Sequence, residues 1–175
     1  QLGIEARFFD ASKPELIAPL VDEHTTAIYL ETISNPSATV PDFEKIKAIA
    51  DEFKLPIVCD NTFGQGGWTC KPLAWGADIV VESATKWIGG HGTTVGGVMI
   101  DAGTFDWGNG KFPGFTDPSP GYHGLKFWES FGPEGPLGIN CAFVVRARVE
   151  GLRDLGACQI SFGSFLLFQG LETLS

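Results

Sequence analysis

The sequence predicts an α/β fold with a parallel sheet at its centre. Two observations carry this prediction: short apolar strands recur along the chain, and an amphipathic helix joins the first two. A strand, a helix and a second strand at this spacing form a βαβ unit, whose strands run parallel. The composition agrees, since 175 residues with 43% hydrophobic and 19% charged side chains are typical of a globular domain.

The first strand and the helix lie within residues 27–54. Residues 27–31 are apolar and run into the turn-forming sequence SNPS at 34–37. Pro41 suits a first helical turn, and acidic residues follow it, as the positive end of a helix favours. The apolar positions at helical spacing are Phe43, Ile46, Ala50 and Phe53.

Three further strands and a second helix are predicted beyond residue 54. Residues 55–60 are apolar until Asp60, residues 77–82 repeat the pattern, and residues 96–101 form a fourth strand. Residues 103–138 are rich in glycine and proline but carry interleaved aromatic residues, which indicates a packed loop rather than a linker. One apolar stripe over residues 139–155 predicts a surface-packed helix.

Charge and composition argue against several functional classes. The formal net charge of −9, with no run of basic residues, disfavours nucleic acid. Apolar runs are far shorter than the ~20 residues that span a bilayer, so we expect no membrane segment. The four cysteines form no CxxC pair, which suggests reduced thiols in the cytoplasm. His24, His91 and His123 lack metal-ligand spacing, so we expect no metal.

The two ends of the sequence indicate a part of a longer polypeptide. The only methionine, Met99, is internal, and the chain stops within an apolar, helix-like stretch. We therefore expect further segments to precede and follow it.

Ligands of open α/β sheets bind beyond the carboxyl ends of the strands, so the residues there are the candidates for a binding site. Lys86 follows the third strand. Most lysines are solvated surface charges, but apolar neighbours on both sides would favour the neutral amine that forms an imine. Asp60 alone is explained as well by a turn or a helix cap. Opposite a pyridine nitrogen, it would instead keep that nitrogen protonated.

Hydroxyl and amide groups complete this set of candidates. Ser83 and Thr85 are either ordinary strand-end hydroxyls or donors to a phosphate, and Asn35 would donate to a ring hydroxyl. The glycine-rich segments 64–67 and 89–92 lack the dinucleotide and P-loop patterns, so tight turns explain them.

Three motifs together resemble one enzyme family. They are ETISNP at residues 31–36, VCDNTF at 58–63 and SATKWIGGHG at 83–92. The chain resembles the pyridoxal-phosphate enzymes of cysteine and methionine metabolism, which have fold type I. The resemblance implies the central part of a large cofactor-binding domain, with a mostly parallel sheet flanked by helices, over residues 1–158. Residues 159–175 would then begin the connection to a C-terminal domain.

The resemblance also implies a role for each strand-end candidate. Lys86 would form the Schiff base with pyridoxal phosphate and act as the catalytic base, and Asp60 would pair with the pyridinium nitrogen. Ser83 and Thr85 would bind the phosphate, and Asn35 would contact the ring hydroxyl. The family's stacking aromatic residue, glycine-containing phosphate loop and carboxylate-binding arginine lie outside this sequence, so we expect an incomplete site.

Within the family, residues 114–124, 147–156 and 168–175 resemble O-acetylhomoserine sulfhydrylases. This implies γ-replacement, in which O-acetyl-L-homoserine loses acetate and sulfide or methanethiol adds, giving homocysteine or methionine. A cystathionine γ-synthase or γ-lyase is the alternative within the family, and a non-catalytic fragment serving as a structural module is the alternative outside it. The resemblance further implies a homotetramer.

Overall fold

A four-stranded sheet forms the centre of the computed structural model, which describes residues 3–174. The strands lie in the order β1, β2, β3, β4; β1 to β3 are parallel and β4 is antiparallel to β3. The predicted α/β class and the mostly parallel sheet are therefore confirmed. The strand bounds are β1 Ile28–Glu31, β2 Ile57–Asp60, β3 Ile79–Glu82 and β4 Val98–Asp101.

Helix α1 (Phe43–Phe53) is the crossover between β1 and β2. The Asp42 side chain accepts a hydrogen bond from the Lys45 N–H at 3.1 Å, so Asp42 is the N-cap. Pro41 consequently precedes the cap instead of opening the helix, because Asp42 already satisfies a free N–H of the first turn. The helix ends at Lys54, whose backbone adopts the left-handed conformation with φ of 53°.

Two apolar cores cover the two faces of the sheet. On one face, α1 packs Ile46 and Ala50 against Ile57 of β2. On the other face, aromatic side chains of residues 103–138 pack against the sheet, and Trp107 stacks on Phe115 with their ring centroids 4.6 Å apart. The prediction of a packed loop is confirmed. This segment also contains two short helices, α2 (Pro113–Thr116) and α3 (Phe127–Phe131).

The predicted helix over residues 139–155 begins later and changes its winding. Helix α4 covers Ala142–Arg146, and a π-helical stretch continues it over Ala147–Asp154. Asn140 is outside the helix because its side-chain amide donates to the Phe105 carbonyl at 2.8 Å, which ties this residue to the aromatic loop. The stretch lies at the surface, as predicted.

Helix α5 (Ser161–Leu171) packs on the turn that follows β3. Its Leu167 contacts Ala84 and Ile88, whereas Phe162 and Phe165 of the same helix are exposed. The sequence places a domain division at residue 158, between α4 with its π-helical extension and α5; this division stays a prediction. The ranges 1–158 and 159–175 include residues 1, 2 and 175, which lie outside the described residues.

Between residues 3 and 174, no helix is both long enough and apolar enough to cross a bilayer.

Candidate functional site

The carboxyl ends of β1, β2 and β3 meet at one edge of the sheet. Glu31 at the end of β1 pairs with Asp60 at the end of β2, and Asp60 pairs with Val81 of β3. The loops that carry Asn35 and Lys86 therefore leave the sheet beside Asp60. This is the edge at which parallel α/β sheets bind their ligands.

The Asp60 carboxylate is half-buried and accepts two hydrogen bonds. The Thr62 N–H donates to Oδ1 at 2.8 Å, and the Tyr29 hydroxyl donates to Oδ2 at 3.3 Å. The first bond makes a turn at Asp60, so part of the simpler explanation of this residue is correct. Within residues 3–174, Asp60 forms no ion pair, and the second lone pair of each oxygen can accept a further donor.

The segment after β3 is tied to the turn after β2. The Ser83 N–H donates to Thr62 Oγ1 at 2.9 Å, so Thr62 bonds to both Asp60 and Ser83. Thr85 is tied to the start of the next strand instead: its hydroxyl donates to the Gly96 carbonyl at 3.1 Å and accepts from the Gly96 N–H at 2.9 Å. The Thr85 hydroxyl hydrogen is therefore already in use, while the Ser83 hydroxyl has no hydrogen bond to another described residue.

Lys86 lies on a tight turn, and its side chain is exposed. Its N–H donates to the Ser83 carbonyl at 3.1 Å, and its own carbonyl accepts from the Gly90 N–H at 2.7 Å. The expected desolvation by apolar neighbours is wrong for this chain, because Lys86 is exposed while Ala84 and Ile88 are buried against Leu167 of α5. Among the described side chains, none forms an ion pair with Lys86.

Among residues 3–174, the hydrogen bond that connects Asn35 to this edge is the one to Glu31. Its N–H donates to Glu31 Oε2 at 2.8 Å, which ties the loop after β1 back to the end of the strand. The Asn35 side chain is exposed. The structure thus joins Asp60 to Ser83 through Thr62, joins Ser83 directly to the turn of Lys86, and places Asn35 on the neighbouring loop.

A buried polar row at the same strand ends was missed by the sequence analysis. Thr32 Oγ1 donates to Asn61 Oδ1 at 2.5 Å, and Asn61 Nδ2 donates to Glu82 Oε1 at 2.7 Å and to the Cys70 carbonyl at 3.1 Å. The Gly66 N–H donates to Glu82 Oε2 at 2.9 Å. Burial raises the pKa of Glu82, and the Asn61 and Gly66 donors oppose this rise. The available signal was a polar residue at the end of each apolar strand or directly after it.

Other parts of the described structure hold no comparable arrangement. A groove of about 710 Å³ lies at the opposite, amino-terminal edge of the sheet and contains none of the predicted residues. No cluster of three or more His, Cys, Asp or Glu side chains within residues 3–174 could hold a metal ion. The four cysteines, all of which are described, are free thiols.

Comparison with known proteins identifies the family. A family model described as "Cys/Met metabolism PLP-dependent enzyme" matches residues 1–175. The chain belongs to this family. A homocysteine/cysteine synthase of Kluyveromyces lactis is 58% identical over 177 residues, covering 100% of this chain and 38% of that protein. An O-acetyl-L-homoserine sulfhydrylase of Leptospira meyeri is 49% identical over 175 residues, covering 99% and 39%.

A solved structure supports the same family membership. The structure of an O-acetylhomoserine (thiol)-lyase from Campylobacter jejuni superimposes with a TM-score of 0.87 at 36% identity, covering 98% of this chain and 41% of that one. It contains N'-pyridoxyl-lysine-5'-monophosphate. The predicted fold type is confirmed, and the chain spans well under half the length of these Cys/Met metabolism enzymes.

The donors at the sheet edge fit the cofactor of this PLP-dependent family. Asp60 offers a carboxylate free of ion pairs among the described residues, which suits a protonated ring nitrogen. Ser83 offers a hydroxyl hydrogen for a phosphate oxygen, and the exposed Lys86 offers an amine for an aldehyde. The chemistry of all three groups is therefore compatible with pyridoxal phosphate.

Proposed function

We propose that this chain is part of a pyridoxal-phosphate enzyme that exchanges the acetoxy group of O-acetyl-L-homoserine for sulfide or methanethiol. The products are homocysteine or methionine, together with acetate. The observation that carries the proposal is the meeting of Asp60, Ser83 and Lys86 at the carboxyl edge of the sheet. The names of the relatives support this activity over that of the cystathionine enzymes.

Each residue of the edge has a distinct task in this proposal. Lys86 would hold the cofactor through its amine, and once freed this amine would move a proton at the substrate carbon. Asp60 holds the proton on the ring nitrogen. Ser83 binds the phosphate, and Asn35 donates to the ring hydroxyl. Thr85 joins the phosphate site once its hydroxyl hydrogen turns from the Gly96 carbonyl.

The cofactor supplies one element of the chemistry. When bound, pyridoxal phosphate provides an electron-withdrawing ring that stabilises negative charge on a neighbouring carbon. The remaining tasks of orientation, charge pairing and proton transfer fall to the side chains named above. We also propose that the complete protein works in the cytoplasm as a homotetramer.

The proposal is tested by trapping the cofactor on the protein. Pyridoxal phosphate is added, the absorbance spectrum is recorded, borohydride is applied and the modified lysine is located by peptide mass. We expect the label on Lys86 alone. The K86A variant should lose both the label and acetate release, because the substitution removes the amine that forms the imine.

The matched control is K13A, which removes an exposed lysine that pairs with Asp10. It should behave as the unaltered protein. Label on a different lysine, or K86A that still releases acetate, would contradict the proposal.

A further inference from the structure

Tyr29 reaches the Asp60 carboxylate from the neighbouring strand. In the pairing of β1 with β2, Tyr29 lies opposite Val58, and Glu31 lies opposite Asp60. Residues on alternate positions of two paired strands share one face, so Tyr29 and Asp60 are diagonal neighbours within reach of a long side chain. The Tyr29 hydroxyl uses this reach, donating to Asp60 Oδ2 at 3.3 Å.

The two donors on Asp60 hold both of its oxygens. The Thr62 N–H is a main-chain group of the following turn and binds Oδ1, and the Tyr29 hydroxyl comes from another strand and binds Oδ2. A carboxylate held at one oxygen still rotates about its Cβ–Cγ bond, whereas donors on both oxygens oppose that rotation. Tyr29 is thus the only side chain in the described structure that donates to this carboxylate.

Tyr29 keeps its proton across the neutral range. Burial is the largest cause and the negative charge of Asp60 the next, and together with Glu31 and Cys59 they raise the pKa of Tyr29 to about 12. The phenol therefore remains a donor wherever an enzyme of this class is assayed. The residue as a whole is 56% exposed, so the bond is weaker than one formed in a closed interior.

From this geometry we propose that Tyr29 is a positioning residue that fixes the orientation of the Asp60 carboxylate for the cofactor's ring nitrogen. The inference rests on the proposed function, because the ring nitrogen is the group that Asp60 would meet. Tyr29 would act only through Asp60, and this dependence can be measured.

The chain contains a matched control for the test. It has two tyrosines, and the second, Tyr122, also donates its hydroxyl to an aspartate, at 2.8 Å from Asp154 Oδ2. Y29F and Y122F therefore remove the same kind of bond, one at the strand ends and one in the aromatic loop of residues 103–138.

The first measurement is the affinity for pyridoxal phosphate, by absorbance titration of the protein freed of cofactor. Y29F should weaken binding about threefold to tenfold, the size expected for a partly exposed bond to a carboxylate, and Y122F should change it less than about twofold. In a D60A background, which leaves no acceptor for the Tyr29 hydroxyl, Y29F should cause no further loss, because the pair is coupled. Equal losses in both backgrounds, or a Y29F affinity equal to that of Y122F, would overturn the inference.

The second measurement needs no cofactor. In Y122F, Tyr29 is the only tyrosine, so its titration can be followed by absorbance near the tyrosinate band. We expect D60N to lower the pKa of Tyr29 from about 12 toward the ordinary value, since the carboxylate charge is gone. An unchanged titration would overturn the inference even if no variant binds pyridoxal phosphate. If D60N lowers the pKa of Tyr29 as expected but the protein binds no pyridoxal phosphate, the result would contradict the proposed function and leave the inference intact.

Discussion

Asn61 is the central member of the buried polar row, because both ends of its amide are used. Its oxygen accepts from Thr32, and its nitrogen donates to Glu82 and to the Cys70 carbonyl. The side chain is 1% exposed, so no water can replace a lost partner. Each buried group left without a partner costs about 1–3 kcal/mol.

A substitution at Gly64 would disturb the buried polar row without changing any of the residues that form it. A Cβ at this position would overlap the Asn61 side chain, and G64A should therefore force the amide out of line. We expect the free energy of unfolding to fall by about 2–3 kcal/mol, measured by urea denaturation.

The control for G64A is G121A, since a Cβ at Gly121 would meet no atom within 4 Å. It should change stability by less than about 0.5 kcal/mol. Equal effects of the two alanines would show that Gly64 does not support the polar row.

At the residue scale, the sequence predicts candidates better than their surroundings. Asp60, Ser83 and Lys86 could be found because each follows an apolar strand, and strand ends are where parallel sheets bind ligands. The exposure of Lys86 could not, because it depends on which side of the turn faces α5. The role of Tyr29 could not be predicted from the sequence. Within an apolar run, its ring is interpreted as a core side chain, and nothing in the sequence shows what its hydroxyl contacts.

Among the elements, α5 is the one that bears directly on the candidate site. Its Gly170 is buried at a point where a Cβ would overlap the carbonyl groups of Ile88 and Gly89. The helix backbone therefore lies directly on the turn that begins at Lys86. Neither α5 nor the turn can move aside easily to make room for a Cβ, because the atoms that it would overlap are main-chain atoms.

G170A should push α5 away from this turn. We expect a loss of about 1–3 kcal/mol, as for other overpacked contacts, with faster hydrogen exchange in α5 and in residues 86–90. Hydrogen exchange with mass detection measures both segments in one experiment.

G151A is the matched glycine in another helical stretch, where a Cβ would meet nothing within 4 Å. It should leave the exchange of α5 unchanged. Exchange in α5 that is the same in G170A and G151A would contradict the close contact.

At the element scale, regular patterns were predictable and local departures were not. The strands and α1 follow from apolar spacing, whereas the N-cap at Asp42 was not predicted, because Pro41 was placed in the first turn. The π-helical stretch at Ala147–Asp154 could not be predicted, because its apolar stripe fits an α-helix equally well. The late start of α4 depends on a bond between Asn140 and Phe105, which are far apart in the sequence.

The whole molecule carries buried carboxyl groups of unusual pKa. Asp78, at the start of β3, is 7% exposed and accepts from the Ile57 N–H at 2.9 Å. Burial raises its pKa above the usual 3.8, so its folded state binds a proton more tightly than its unfolded state. Stability from this proton is present below pH 3.8 and is lost as the pH rises through the folded pKa.

D78N should therefore gain stability relative to the unaltered protein as the pH rises from 3.8 toward neutrality. The amide keeps an oxygen for the Ile57 N–H and never acquires the buried charge. Urea denaturation at pH values from acid to neutral measures the difference in unfolding free energy. A difference that shrinks with rising pH would contradict the burial of a charge at Asp78.

D22N is the control, because its effect on the unfolding free energy should depend on pH in the opposite direction to that of D78N. Its hydrogen bond with Arg7 lowers the pKa of Asp22 to about 2, so its stabilising contribution is present above pH 3.8 and disappears as the pH falls toward 2. The penalty of D22N should therefore vanish in acid.

At the scale of the whole molecule, composition predicted that a hydrophobic core forms. It did not predict which apolar residues stay exposed to solvent. The chain is 43% hydrophobic, yet Val98, Met99 and Ile100 of β4 are each more than 40% exposed. Composition counts apolar residues without saying what packs on them, so this surface could be seen only in three dimensions.

The reversal of chain direction at β4 confers a mechanical property on residues 86–95. Because β4 is antiparallel to β3, the chain leaves and re-enters the sheet at one edge, and Thr85 clips the two ends together through Gly96. The intervening residues thus form a closed loop whose two ends are joined by the hydrogen bonds between Thr85 and Gly96. Doubling the length of such a loop costs only about 0.6 kcal/mol of closure entropy. Insertions in the middle of this loop would therefore cost little free energy at the Thr85–Gly96 hydrogen bonds. The turn of Lys86 would stay at the carboxyl edge of the sheet.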